Sequence, residues 1–147
     1  MILDLRDIKK RGKDNLDFFF EYSSEREFLD ASFMQIEFPI IVEGSISLTG
    51  EHSAFIDANV SFKIKGNCTR CLEEISKEYS LQVREGLGEY EDDCYQIIND
   101  RIDLSKIIDD AIFMNWPVSF LCSEDCKGLC KQCGANLNKG ECKCKNS

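Results

Sequence analysis

Gln35-Ile36-Glu37-Phe38-Pro39-Ile40-Ile41-Val42-Glu43-Gly44-Ser45-Ile46-Ser47-Leu48 is the stretch on which the fold turns. Its even positions are Ile36, Phe38, Ile40, Val42, Gly44, Ile46 and Leu48, while its odd positions are largely polar. A period of two puts one set of side chains on each face of a strand, so this is a half-buried strand, with a bend expected at Gly44. After the turn-like Thr49-Gly50-Glu51-His52-Ser53 the same parity returns as Ala54, Ile56, Ala58, Val60, Phe62 and Ile64. Two antiparallel strands follow from this. Ile75, Tyr79, Leu81 and Val83 form a third run beyond the short Gly66-Asn67-Cys68-Thr69-Arg70-Cys71, so a hairpin should carry two cysteines at its tip.

Working outward, Ile2 to Leu5 and Leu16 to Tyr22 read as strands around a solvated basic loop of Lys9, Lys10, Arg11 and Lys13. On the other side, Glu85 to Asp103 sets seven acids against Arg101, a local charge of −6 that reads as a solvated excursion. Asp103 stands where a helix N-cap belongs, and Leu104, Ile107, Ile108, Ala111 and Ile112 recur at helical spacing until Pro117 forbids continuation. Asp109 and Asp110 are read as the wet face of that helix. The composition then changes: residues 122–147 hold six cysteines and five lysines but few apolar side chains. The expected fold is therefore α+β: an antiparallel β-meander or partly closed barrel covered by one amphipathic helix. Residues 1–121 form the sheet domain, and 122–147 a cysteine-rich tail packed on it.

The charge narrows the possible partners. Eighteen Lys and Arg against 27 Asp and Glu give −9, which opposes broad binding to a phosphate backbone. The imbalance lies in residues 1–121, at −11, whereas 122–147 carry +2 before thiolates are counted. Met1 to Lys13 interleaves acid and base with no apolar run of signal or membrane-spanning length, so a cytoplasmic protein without a membrane partner is expected. Nine cysteines in such a chain read as reduced thiols or metal ligands rather than a disulfide framework.

The strongest chemical signal is Cys130-x2-Cys133-Gly134 followed by Cys142-x-Cys144, two short thiolate pairs that can converge on one tetrahedral cation. Two intervening residues let the first pair turn its sulfurs inward, and Gly134 relieves the crowded backbone behind them. In the second pair, residues two apart on an extended segment project from one face. Binding to four thiolates supplies ordering energy that the short polar tail lacks, and leaves zinc no open position for catalysis. A zinc-ribbon-like tail with structural zinc follows.

A second set joins Cys68 and Cys71 to Cys122 and Cys126, if the tail folds back over the hairpin tip. Cys122, Cys126 and Cys130 are four apart, so a rival grouping places Cys126 with Cys130 and Cys133. One zinc ion or two are thus open, and iron competes with zinc for four thiolates, although no cluster-type spacing is present. Cys94 has no partner spacing and is assigned no role.

Other chemistries find little support. His52 is the single histidine, in a turn expected to be exposed, with no nucleophile arranged beside it. No spacing among the many carboxylates separates a general acid from a general base. Gly86 and Gly88 lack the third glycine and the strand-to-helix setting of a phosphate cradle. No small-molecule substrate is evident, and the chain reads as a non-enzyme. The alternative is a thiol redox or metal-responsive protein using Cys68 and Cys71, although a redox dithiol belongs at a helix N-terminus rather than between antiparallel strands.

The ordered set Cys68-Thr69-Arg70-Cys71-Leu72-Glu73, the helix from Asp103-Leu104, Pro117, and Leu121 through Cys122, Cys126 and Cys130-Lys131-Gln132-Cys133-Gly134-Ala135-Asn136-Leu137-Asn138 resembles the YceD family. The match runs from about Leu48 to Cys144, and the strings are specific in combination. The resemblance implies a bacterial cytoplasmic protein that supports 23S ribosomal RNA accumulation and large-subunit assembly, with no established enzymatic activity. Cys68 and Cys71, with Arg70 and Leu72 beside them, match the family's most recurrent element. Some members lack the cysteine-rich tail, which fits a stabilising or docking role for its metal. Where members often have Pro, this chain has Lys131, which loosens the turn without removing a ligand. The expected partner is ribosomal RNA or a basic large-subunit ribosomal protein. Arg70, Lys127, Lys131, Lys139 and Lys143 are the candidate contacts.

Overall fold

A computed structural model of the chain describes residues 1–26, 34–90 and 95–144. In chain order these form β1 (Ile2–Asp4), α1 (Arg6–Lys10), β2 (Asn15–Tyr22), β3 (Met34–Gly50), β4 (Ser53–Asn67), β5 (Glu74–Gly88), β6 (Arg101–Asp103) and α2 (Leu104–Met114). Strands β2-β3-β4-β5 make one antiparallel meander, and β1 pairs with β6 in a separate ribbon. Neither β2 nor β5 finds the other across the sheet, so no barrel closes. Cys94 and Lys145 lie outside the described residues.

The alternation read from β3 and β4 becomes the core. Ile40, Val42, Ile46, Ile56, Val60 and Ile64 are all buried, and burying each such side chain is worth roughly 1.5–3 kcal/mol. Between Glu37 and Ile41 the register slips: four residues of β3 advance against two of β4, from Glu37↔Lys63 to Ile41↔Ser61. Two extra residues restore the original face, so the alternation resumes unbroken, while Phe38 inside the bulge is left 48% exposed. The expected bend at Gly44 is not a break in pairing, because Gly44↔Ala58 sits within continuous register. Glycine is required there by close approach: an added Cβ would lie 2.3 Å from the Asp57 carbonyl oxygen.

Helix α2 starts as expected, with the Asp103 carboxylate accepting from Ser105 N at 2.9 Å. The Leu104 amide is fixed by the carbonyl of Met1, 2.9 Å away, which ties the helix to the N-terminal ribbon. Leu104, Ile107, Ile108 and Ile112 enter the same core as the sheet. Asp109 corrects the expected wet face: only 8% exposed, it accepts from the Tyr22 hydroxyl at 3.1 and 3.0 Å. Burial pushes its carboxyl above the ordinary range, opposed by hydrogen bonds from Ser24 and Tyr22 and by the Arg26 charge.

Two more expectations change. The basic segment expected as a loop begins as α1, pinned by buried Leu5 and Ile8, with its lysines outward. The acidic excursion is partly sewn into the fold, for Ile97 and Ile102 are buried and Gly88 bridges Gln96. His52 is exposed, as read, and meets Glu89 through Nδ1. No helix among the described residues is long and apolar enough to cross a membrane.

Candidate metal centres

The long register of β4 against β5 runs out at Asn67↔Glu74 and leaves the six residues 68–73 to turn the chain. The turn is fixed by Cys68 N to Glu73 O at 2.8 Å, Leu72 N to Cys68 O at 2.9 Å, and the Asn67 amide to Leu72 O at 2.9 Å. Leu72 adopts a left-handed φ of 62°. Phe120, buried below the tip, accepts through its carbonyl from Thr69 N at 2.8 Å, so the chain leaving α2 is drawn against the hairpin. Arg70 then donates to the Cys126 carbonyl at 3.1 Å. These bonds deliver Cys122 and Cys126 to Cys68 and Cys71.

The four sulfurs of this inner set lie within 4.8 Å of one another. Cys68 and Cys126 are separated by 3.6 Å and Cys71 and Cys122 by 3.6 Å, close to the edge of about 3.8 Å that a tetrahedron with 2.3 Å metal–sulfur bonds would have. Cys68, Cys71 and Cys126 are buried, packed by Ile75, Leu121 and Leu129.

The outer set is built on the same turn in a different place. Cys130 N donates to Ala135 O at 2.8 Å and Gly134 N to Cys130 O at 2.9 Å, with Gly134 at φ 73°. Leu137 N reaches back to Gly128 O at 2.9 Å, and the chain returns with Cys142 and Cys144. Cys130, Cys133, Cys142 and Cys144 again gather within 4.8 Å, with 3.5 Å between Cys130 and Cys142. Here Cys133 is exposed and Cys142 and Cys144 only half-buried. The rival grouping of Cys126 with Cys130 and Cys133 does not form.

The electrostatics of both sets favour a cation. Burial pushes the Cys68 thiol up, but N–H groups of Cys71, Cys122 and Arg70 aimed at its sulfur outweigh that and hold it to about 6. At Cys130 the amides of Cys133 and Gln132 do the same, also to about 6. Cys71 and Cys122 in the inner set and Cys144 in the outer set resist a further negative charge. Although the Glu73 N–H stabilises the Cys71 thiolate, burial and the neighbouring sulfurs push it up to about 12. Contact with Cys133, burial and Cys130 push Cys144 to about 12. Four close sulfurs cannot all be anions alone, whereas a divalent ion among them removes the conflict. Each set can therefore hold a metal ion, as donors of the kind that bind zinc tetrahedrally.

Of the candidate contact cations, Arg70 is engaged in bracing the tail, and Lys139 pairs with Glu73 at 2.9 Å. Lys127, Lys131 and Lys143 are exposed. Asn138, the last residue of the string that carries the resemblance, gains a role that the spacing did not indicate: its amide nitrogen lies 3.3 Å from the Cys126 sulfur.

A family model described as large ribosomal RNA subunit accumulation protein YceD matches residues 56–147, which include both cysteine sets and α2. A chloroplastic protein of Arabidopsis thaliana called large ribosomal RNA subunit accumulation protein YCED homolog 1 is 46% identical over 43 residues, 29% of this chain and 13% of that protein. Its namesake in Zea mays is 49% identical over 45 residues, 30% and 15%. An uncharacterized protein of Mycobacterium tuberculosis is 32% identical over 92 residues, 56% of this chain and 44% of its own. The chain thus spans less than half the length of these relatives, and no solved structure matches it. Matched by the family model over more than half its length, the chain belongs to the YceD family.

Proposed function

We propose that this chain is a non-enzymatic ribosome-biogenesis factor that supports accumulation of large-subunit ribosomal RNA, with its tail held in shape by two structural zinc ions. The observation that carries the reading is the pair of converging four-cysteine sets inside the segment matched by the family model. In this reading Cys68, Cys71, Cys122 and Cys126 clasp the tail, 122–147, to the body, 1–121, while Cys130, Cys133, Cys142 and Cys144 fold the tail itself. A closed shell of four thiolates suits scaffolding rather than catalysis.

Charge supports a basic large-subunit ribosomal protein as the direct partner over ribosomal RNA. The body is strongly acidic, and a zinc ion with four thiolates adds about −2 at each centre, which offsets the lysine excess of the tail. Lys127, Lys131 and Lys143 supply local phosphate contacts where RNA lies alongside, with Arg70 and Lys139 partly committed to Cys126 and Glu73.

The test is complementation in a deletion strain, scored as 23S ribosomal RNA level, with crosslinked pulldown of the intact chain. Wild type should restore the RNA and recover a Lys/Arg-rich ribosomal protein, and a Cys130→Ser, Cys142→Ser chain should do neither. Recovery of RNA alone would contradict the protein preference, and full rescue by the variant would contradict the role of the tail.

The readily ionised Cys68 thiol favours one rival, a thiol redox protein. Its burial argues against that, since exchange requires access to the sulfur. A Cys68→Ser, Cys71→Ser chain separates the two: the redox reading expects a fold that keeps its metal content, and a structural centre expects metal and tail to be lost together.

A further inference from the structure

Asn138 stands between the two cysteine sets and belongs to neither. Its amide nitrogen donates to the Cys126 sulfur at 3.3 Å, and its amide oxygen accepts from Lys127 N at 2.8 Å. The second bond fixes which end of the amide faces the sulfur, because an amide N–H can only be met by the oxygen. Its own backbone N–H donates to the Asn136 side-chain oxygen at 2.9 Å.

The loop that carries Asn138 runs between Cys133 and Cys142, so its ends are outer-set cysteines. Its other ties, the bond from Leu137 N to Gly128 O and the bridge of Asn136 with Leu129, are to the tail segment between Cys126 and Cys130 and not to the sheet. Ala135, Asn138, Lys139 and Gly140 are exposed, Leu137 is half-buried, and the Lys139–Glu73 pair has side chains 74% and 44% exposed, a geometry worth little in water. Closing the outer set therefore places a hydrogen-bond donor on a sulfur of the inner set. A donor to a metal-bound thiolate relieves its excess charge and holds its lone pairs in place, and such partners typically change metal affinity by 10–100-fold.

Resting on the metal-binding reading above, we propose that Asn138 is a positioning residue that couples the two cysteine sets, so that the chain binds its two metal ions cooperatively. The coupling is reciprocal, since each ion raises the affinity for the other by the same factor.

Chelator competition with Cd2+, followed through separate cadmium-113 resonances, tests this. The wild-type chain gives the constant for loading both ions. Cys142→Ser, Cys144→Ser and Cys68→Ser, Cys71→Ser chains give the constants for the inner and outer sets alone. The two-ion constant should exceed the product of the single-set constants by about tenfold. Asn138→Ala should return that ratio to about one and shift the inner resonance while leaving the outer one in place. Asn138→Asp keeps the oxygen that accepts Lys127 N but removes the donor, so it should lower the two-ion constant at least as far as Ala, even if a Cys→Ser chain fails to fold. An Asp variant like wild type, or a ratio near one in wild type, would overturn the coupling. A wild-type chain that binds fewer than two cadmium ions would overturn the metal reading as well.

Discussion

The turns at 68–73 and 130–135 have the same backbone bonds: the first cysteine donates from its N–H to the residue five on and accepts at its carbonyl from the residue four on. Each puts one residue in a left-handed conformation directly after the second cysteine, Leu72 in one and Gly134 in the other. What differs is the support. The first turn caps two strands of fifteen residues in continuous register, and the Asn67 side chain adds a further bond to Leu72 O. The second hangs on the isolated bridge Leu129↔Asn136 and a few backbone bonds. A scaffold that over-determines the backbone can hold Leu at φ 62° at a cost of about 1–2 kcal/mol, whereas an unsupported turn uses Gly. The hairpin turn is thus held by the sheet alone, whereas the proposed metal-binding reading makes the tail turn depend on its ion.

That contrast fails first, if it fails, on metal removal. Structural zinc sites of this kind contribute about 10–16 kcal/mol to the folding of small domains. Chelation should abolish hydrogen-exchange protection at Cys130, Gly134 and Leu137 while amides of β4 around Val60 stay protected. Protection that persists in the tail would make the two turns equally autonomous.

The reverse experiment weakens the scaffold. Ile64→Ala removes a fully buried side chain a few residues below the hairpin tip and should cost about 3 kcal/mol of global stability by denaturant unfolding. The outer set should keep its metal up to the unfolding transition, because none of its ligands comes from the sheet.

Smaller effects sharpen the comparison of the two left-handed positions. Gly134→Ala, which meets no steric obstacle but must accept φ 73°, should cost about 1 kcal/mol and appear as weaker outer metal binding. Leu72→Gly should stabilise the chain by about 0.5 kcal/mol, as relief of strain exceeds the added freedom of the unfolded chain. A large loss at Leu72 would show that this exposed side chain has a structural partner that the turn geometry does not reveal.

The body should also have a pH response of its own. The folded carboxyl of Asp109 is raised above its unfolded value, so its contribution is full below the ordinary carboxyl range near pH 4 and is lost as pH rises through the elevated folded value. Asp109→Asn keeps an acceptor for Tyr22 and should flatten that fall in thermal stability, with metal content unchanged.

The sequence made the meander legible because β3 and β4 each bury one parity, and the α2 start legible because Asp103 precedes a helical repeat. The outer cysteine set could be proposed from spacing, but the inner one stood beside a rival grouping of Cys126 with Cys130 and Cys133, because its two pairs are distant in sequence and meet only through the packing of the tail on the hairpin. The two-residue bulge at 38–40 was silent because it preserves parity. Helix α1 is too short for a period to register, and Asp109 was misread because its partner, Tyr22, lies 87 residues away. The left-handed Leu72 left no trace because leucine is not a residue that announces positive φ. Asn138 stood in the quoted string, but its donor role was not legible, since it exists only once the tail turns back on itself and brings the amide to Cys126.

The most direct measurement is the metal content of the folded chain, purified without chelator, by native mass spectrometry. The account predicts two zinc ions per chain, falling to one in Cys130→Ser, Cys142→Ser with the sheet intact. A folded wild-type chain with no bound metal would contradict it.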